Sequence, residues 1–462
     1  MPSRQDQLHS YQFTIQRVVA AVVMRETDPP QSPFRRLAGA ALASVLVAAI
    51  GLGGFALYGL FVGGGVKWRD GNAVIVEKES GARFVYREQR LHPVLNYASA
   101  LLIIGAERPK TVLVSRRSIE GVPRGLPLGI ADAPDSLPAA ARLAGDAWTV
   151  CSVDTTEDGR RQSRSVLLIG SGAAGGRPLG EEALLLRAPD GQLHLLWQQR
   201  RHLIRDTDRV LAALAVTRAR AVPVAAALLN TVPAGLDLAP LELPGLGEWS
   251  TRIADARIGD VLLVKNSGGT RQHAVVQRDG LAGITELQAA LLLARTGQRA
   301  PEEISLGRFA ALPKRDDLTP TGPHAPPHAP PRLATMAAPT LCAGVADEAG
   351  QVELRHGAEL PELTAAPRAS SGPAGPVVAD HVLVEPGRGA LVESVPAPGA
   401  TGGAISVVTD LGRRHVLADA GVRAMLGYGE SRPLRLPAGV VSLVPAGAGL
   451  DPAAARQTAA PA

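Results

Sequence analysis

Cysteine is nearly absent from this 462-residue chain, which has only Cys151 and Cys342. Two thiols build neither an all-cysteine zinc site nor a disulfide-rich scaffold, so the open question is whether they pair or stay as two buried thiols. Aromatics are scarce as well, 3% against 46% hydrophobic overall, and a core must therefore be assembled from Ala, Val and Leu. Lysine is rare and most basic charge is arginine. No Lys/Arg cluster alternates with aromatics, and the formal net charge of +5 is small for this length, which argues against nucleic acid as a partner. No Gly-Lys-Ser or Gly-Lys-Thr occurs, so a phosphate-cradling P-loop is missing. By contrast Pro (37) and Gly (50) are abundant, favouring many turns and short strands over long helices. The length suits two or three domains.

One long run carries no charge at all: Leu37 to Val66. A helix needs about 20 apolar residues to cross ~30 Å of hydrocarbon. The run is also longer, and lies further from the terminus, than the apolar region of about 7 to 15 residues in a signal peptide. Arg35 and Arg36 on one side, and Lys67, Trp68 and Arg69 on the other, read as interfacial anchors. Basic residues are equally common on both sides, so the positive-inside rule sets no orientation. A cysteine pair would put the long C-terminal part outside the reducing cytosol. Ahead of the run, Leu8, Tyr11, Ile15, Val18 and Val22 recur at alternating spacings of three and four, one narrow apolar stripe on a helix. Ser3 with Asp6 caps its start, and Asp28-Pro29-Pro30 ends it. Two readings stay open: a helix lying on the membrane surface, and a docking face for a cytoplasmic partner.

Beyond the run, four segments share one plan of strand, Gly-containing turn, strand and Ala/Leu-rich stretch. They are AVIVEKESGARFVY (turn at Gly81), ALLLRAPDGQLHLLW (Gly191), VLLVKNSGGTRQHAVV (Gly268, Gly269) and AISVVTDLGRRHVLA (Gly412). Each reads as a β-hairpin, followed by a helix over Val94 to Ile104, Asp206 to Val216, Ile284 to Arg295 and Ala418 to Leu426. Three units close on Val122-Pro123-Arg124-Gly125, Val232-Pro233-Ala234-Gly235 and Val444-Pro445-Ala446-Gly447; the third has only Leu312-Pro313. A hairpin with one helix buries too little to stand alone, so the units should pack on something shared. Cys151 lies between repeats one and two and Cys342 between three and four, a pseudo-twofold plan in which two linkers meet as a central β domain. The fold expected is α+β. Its divisions are a cytoplasmic helix segment 1–36, the membrane helix 37–66, repeat one 71–128 and the first central half 129–180. Repeat two is then 181–247, repeat three 250–318, a Pro-rich exposed linker 319–340 and the second central half 341–385. Repeat four is 386–448, and a frayed tail covers 449–462.

Motifs that carry chemistry fail on context. Gly170-Ser171-Gly172-Ala173-Ala174-Gly175 matches G-x-G-x-x-G, but Gly176-Arg177-Pro178 follows where a dinucleotide site needs a helix. His324 and His328 are separated by Pro326 and Pro327, so no regular helix presents them together, and they read as solvated loop residues. Asp206 and Asp208 diverge on a helix; capping the next helix is the simpler role. No catalytic, cofactor-binding or metal-ligating set is recognised.

Several ordered stretches together resemble the EccB family of actinobacterial type VII (ESX) secretion systems: YQFTIQRVVAAVVMRETDPPQSPFRR, LHPVLNYASALL, AWTVCSV, PVAAALLNTVPAG and VSLVPAGAGLDPAAAR. The resemblance implies a short cytoplasmic N-terminal segment, one helix in the inner membrane and a large extracytoplasmic (periplasmic) domain of repeats about a central domain. By match, Cys151 and Cys342 would be its disulfide pair. It implies a structural and assembly subunit working with EccC, EccD and EccE, a mycosin protease, further copies of itself and membrane lipid, and no cofactor. Some members are labelled ATPases, although the motor sequences of such systems belong to EccC. An envelope (peptidoglycan)-binding module and an ATPase are the alternatives; exposed aromatics among Trp148, Trp197 and Trp249 would favour the former.

Overall fold

The computed structural model describes residues 3–25, 33–62, 68–107, 109–157, 159–265, 268–336, 340–363 and 376–459. They fall into two units, Met1–Asp70 with Val114–Glu120, and Gly71–Leu113 with Gly121–Ala462.

The first unit opens with a helix, Arg4–Met24. Its start is fixed by reciprocal bonds: the Ser3 hydroxyl accepts from the Asp6 amide, while the Asp6 carboxylate accepts from the Ser3 amide at 3.0 Å and from its hydroxyl at 2.7 Å. Two orphan donors are thereby satisfied. The helix stops at Arg25, in the left-handed region (φ 53°); Asp28-Pro29-Pro30 lies outside the described residues. The second helix is Pro33–Val62, four residues upstream of the expected 37–66. Proline is tolerated at a first helical position because that N–H has no intrahelical acceptor. Arg35 and Arg36 consequently sit in its first turn rather than before it, and Lys67 falls outside the described residues. Among the described residues this is the one helix long and apolar enough to cross a membrane, and its stretch Ala38–Ala56 has no buried share. Trp68 corrects an expectation: it is fully buried and its indole N–H donates to the Ser118 hydroxyl at 3.2 Å, so it is no lipid-facing anchor.

Among the described residues the second unit holds five sheets. Four follow one plan, and it is larger than a hairpin. In the first repeat, strands Ala73–Glu77, Arg83–Arg87 and Arg90–Pro93 form a meander, the helix Tyr97–Ile104 follows, and the strand Lys110–Val114 returns to lie beside the first. Repeat two uses Leu184–Arg187, Leu193–Trp197, Arg200–Leu203 and Val222–Pro223 around the helix Thr207–Ala213. Repeat three uses Val261–Lys265, Arg271–Val276, Leu281–Ile284 and Glu302–Ile304 around Glu286–Thr296. Repeat four uses Ala390–Val395, Ala404–Val408, Arg414–Val416 and Leu434–Pro437 around Ala420–Met425. In repeats two to four the fourth strand is parallel to the first. The hairpin read from the sequence in repeat four is the second and third strands; its first strand precedes it across a long Gly/Pro loop. The turn glycines Gly81, Gly191, Gly269 and Gly412 all have positive φ, a conformation that L side chains resist. Asn96, Thr285 and Asp419 cap their helices through the side chain, whereas Asp206 holds the N-cap position without such a bond and pairs with Arg209 instead.

The fifth sheet is central and six-stranded. In order across it run His381–Val384, Arg160–Ile169, Trp148–Glu157, Leu341–Val345, Val352–Glu359 and Ala174–Pro178. The inner pairs of the two linkers thus meet at Trp148–Glu157 and Leu341–Val345, and each linker's third strand crosses to pair with the other half. One face packs with the short helices Ala226–Thr231 of repeat two and Ala438–Val441 of repeat four in a single apolar cluster. Repeat one packs its helix on that of repeat four, and repeat two packs its helix on that of repeat three. The tail is ordered rather than frayed over 451–459. Asp451 caps the helix Pro452–Ala455, Ala455 joins the apolar cluster of repeats one and four, and Thr458 bridges to Leu128.

Candidate functional site

No side chain of the N-terminal stripe is buried. Leu8, Tyr11, Ile15, Val18 and Val22 are between 43% and 76% exposed, and Phe13, off the stripe, is exposed with the Arg17 guanidinium over its ring. The apolar surface is therefore broader than heptad spacing alone suggests. Bonds from Ser3, side chain before backbone, hold the Asp6 carboxyl below its ordinary range, which keeps a negative charge at the helix N-terminus.

Cys151 and Cys342 are brought together. They are directly opposed on neighbouring antiparallel strands, their Cα atoms are 4.0 Å apart, and their sulfurs are bonded. Both are buried with Val166, Leu168 and Ala358, against Leu360, Leu363 and Leu383. On the same face lies a cleft of about 620 Å³ edged by Asp146, Asp347, Glu353 and the Gly172–Gly175 stretch. The glycine-rich run passes from Arg160–Ile169 through a turn into the edge strand Ala174–Pro178 and opens no helix. The Arg355 guanidinium donates to the carbonyls of Gly175 (3.2 Å) and Gly176 (3.0 Å), so this stretch of backbone is tied to the sheet.

Sequence reasoning missed what the Val-Pro-x-Gly closures do. In each repeat the closing segment lies beside the third strand and exchanges two backbone bonds with it. In repeat two these are Arg201 to Pro233 and Gly235 to Arg201, both 2.9 Å. The third strand of repeats one, two and four carries a histidine, His92, His202 and His415. Its Nδ1 donates to the carbonyl of Leu126 (3.0 Å), Leu236 (2.8 Å) and Ala448 (2.9 Å). A Cβ on Gly125, Gly235 or Gly447 would collide with that imidazole. Glycine and histidine are thus one lock. Repeat three has Ala282 and Arg315 at the two positions, and Leu281 and Arg315 still exchange the backbone bonds with the closing segment. The signal was present in the sequence as Arg-x-His about 33 residues before the glycine. Burial depresses the pKa of His202, with Arg200 adding to the effect against the Leu236 bond and Asp237. Burial likewise depresses that of His415, helped by Arg413 against the Ala448 bond.

The Pro-rich segment is not a free linker. The Leu236 amide donates to the His324 carbonyl (2.8 Å), the Leu287 amide to the His328 carbonyl (2.9 Å), and Leu333 bridges to Ala183. It straps repeat two to repeat three, with Pro327 buried and both imidazoles exposed. Asp206 and Asp208 pair separately with Arg209 and Arg218. Trp148 is fully buried, Trp197 is half-buried, and Trp249 is exposed under the Arg257 guanidinium. Among the described residues no group of three or more His, Cys, Asp or Glu is arranged to hold a metal.

The family described as "Type VII secretion system ESX-1, transport TM domain B" matches residues 1–461. Among characterised relatives, the ESX-3 secretion system ATPase EccB3 of Mycolicibacterium smegmatis is 31% identical over 473 residues, covering 96% of this chain and 88% of that protein. The ESX-2 secretion system ATPase EccB2 of Mycobacterium tuberculosis is 30% identical, covering 85% and 81%. Among solved structures, a chain of the intact ESX-5 inner membrane complex aligns with TM-score 0.68 and 25% identity, over 100% of this chain and 96% of that one. The EccB3 dimer from the ESX-3 core complex aligns with TM-score 0.64 and 28% identity, over 84% and 100%.

Proposed function

The chain belongs to the EccB family and is a structural subunit of a type VII secretion membrane complex, and we propose that it braces that complex from outside the membrane while its N-terminal helix docks on a cytoplasmic partner. The observation that carries the docking is the exposed apolar stripe on a well-capped helix directly before the membrane helix. The orientation is supported by the disulfide, which persists in an oxidising compartment and not in the cytosol. Residues 1–36 are then cytoplasmic and residues 67–462 extracytoplasmic. EccC, EccD and EccE are the membrane partners and a mycosin protease the outer one, and a second copy is favoured by the dimer formed by a relative.

The division of labour follows from the sheets. Each repeat is small and stands on a neighbour or on the central sheet, an arrangement suited to rigid spacing rather than to turnover. The N-terminal test is Ile15→Asp with Val18→Asp. Two charges without partners in an apolar seam are costly, so the double variant should insert in the membrane yet fail to enter the assembly on a native gel. Normal assembly would leave the stripe as a membrane-surface face and end the docking idea. Topology is tested by a membrane-impermeant label on single-cysteine variants: position 250 should react in intact cells and position 10 should not.

A further inference from the structure

Trp68 comes six residues after the end of the helix Pro33–Val62, and six residues reach at most about 22 Å even when fully extended. No charged residue occurs between Val62 and Lys67. Whatever Trp68 holds is therefore kept close to the membrane face at which that helix ends.

What it holds is a turn 50 residues further along the chain. The fully buried indole donates to the Ser118 hydroxyl at 3.2 Å, and Trp68 falls in the same compact unit as Val114–Glu120. Val114 and Ile119 are buried, so the single-turn helix Arg116–Ile119 is seated by its apolar residues. Ser115, Arg116 and Arg117 are exposed. Arg69 is exposed as well, with its guanidinium over the Trp68 ring at 5.1 Å. Asp70 and Glu120 are the acidic residues of the same two stretches. A guanidinium donates two parallel N–H bonds to a phosphate, and each basic residue close to an anionic membrane surface favours contact by about fivefold.

We infer that the Arg116–Arg117 turn, together with Arg69 on the Trp68 ring, is a docking surface for the phosphate headgroups of anionic phospholipids in the leaflet at the C-terminal end of the membrane helix. The tryptophan takes no interfacial place itself; it fastens to the membrane exit a turn whose arginines take that place. The inference rests on the reading of Pro33–Val62 as a membrane helix. It is independent of the N-terminal stripe, which lies before that helix.

The test uses the full chain in lipid nanodiscs with a fluorophore on Ser115→Cys. Ser115 holds its N-cap position without a side-chain bond, and Cys151 and Cys342 are bonded to each other, so the label attaches there alone and leaves the turn intact. Quenching by a lipid carrying a nitroxide on its headgroup reports contact. Discs of equal parts phosphatidylglycerol and phosphatidylcholine should quench at least about twice as strongly as discs of phosphatidylcholine alone. Raised salt should remove the difference, because it screens exposed charges. Arg116→Gln with Arg117→Gln should also remove it, whereas Arg116→Lys with Arg117→Lys, which keeps the charge, should retain most of it. Both arginines are exposed, and an unchanged thermal unfolding curve confirms that the variants fold. Equal quenching in the two kinds of disc, or a difference that survives the glutamine pair, means that the tether alone brings the turn near lipid and overturns the inference. No quenching in either disc overturns it too, since the turn then faces away from the bilayer. A chain that fails to enter the discs at all would remove the membrane helix, and the inference with it.

Discussion

A glycine facing a histidine sets the stability of three repeats. Gly235→Ala places a methyl inside the fully buried His202 ring and should cost about 1 to 3 kcal/mol, read as faster hydrogen exchange in Arg200–Leu203. Adding His202→Ala, the residue type of Ala282 in repeat three, should recover part of the loss, since it removes the clash. The imidazoles of His202 and His415, in repeats two and four, make the fold acid-sensitive. Their pKa values in the folded chain lie below the unfolded value of about 6.5. The unfolded state therefore binds the proton first. Stability is complete above about pH 6.5 and falls as the pH drops below it, toward the depressed folded values. Exchange protection of the third strands of repeats two and four should decline as the pH falls below about 6.5, and His202→Asn should flatten that decline in repeat two. An unchanged profile in the variant would place the acid sensitivity elsewhere, with His194 and His273, also depressed by burial, as the next groups to replace.

At the scale of elements, the disulfide and the exchanged third strands both tie the halves of the central sheet. Closing so long a loop contributes about 5 kcal/mol in the chain-entropy model, and losses on removal run about 2 to 5 kcal/mol. Cys151→Ser with Cys342→Ser should fall near the lower figure, because Ala174–Pro178 and His381–Val384 still cross between the halves. Thermal unfolding of the variant measures this, and non-reducing peptide mapping of envelope-derived protein should find the two cysteines joined. A second element prediction concerns the two-residue turn at Gln198-Gln199, both at positive φ (43° and 63°). Such turns favour Asn-Gly, so that replacement should raise stability by about 0.5 to 1 kcal/mol. Elements like these also set what was legible in advance. The first hairpins of repeats one to three were readable because apolar strands flank a glycine turn. The third strands were not, since Arg-Arg-His-Leu is short and charged and is held by the closing segment rather than by its own pattern. The Pro-rich strap failed for a related reason. Composition marks a segment that forms no regular element, but its carbonyls are paid for by amides of repeats two and three that are distant in sequence.

For the whole molecule, the resemblance, the α+β architecture and the membrane-complex role were legible because the family's stretches span nearly the entire chain. The surfaces that face partners were not, as exposure is a property of packing. The relatives named ATPases bear on activity. Phosphoryl transfer needs donors and a cation around the phosphates, and the one glycine-rich run here leads into an edge strand. Purified full chain should release no phosphate from ATP above background; turnover that tracks the protein through sizing and is lost on mutating Gly170 and Gly172 would reverse this reading. The most direct measurement of the central claim is the size and composition of the assembly that a tagged full chain brings out of native membranes in mild detergent. A structural subunit should appear in a large particle in which this chain co-migrates, in fixed ratio, with the other membrane subunits of a type VII system. Recovery of the chain alone, as monomer or isolated dimer with no other secretion subunit, would contradict it.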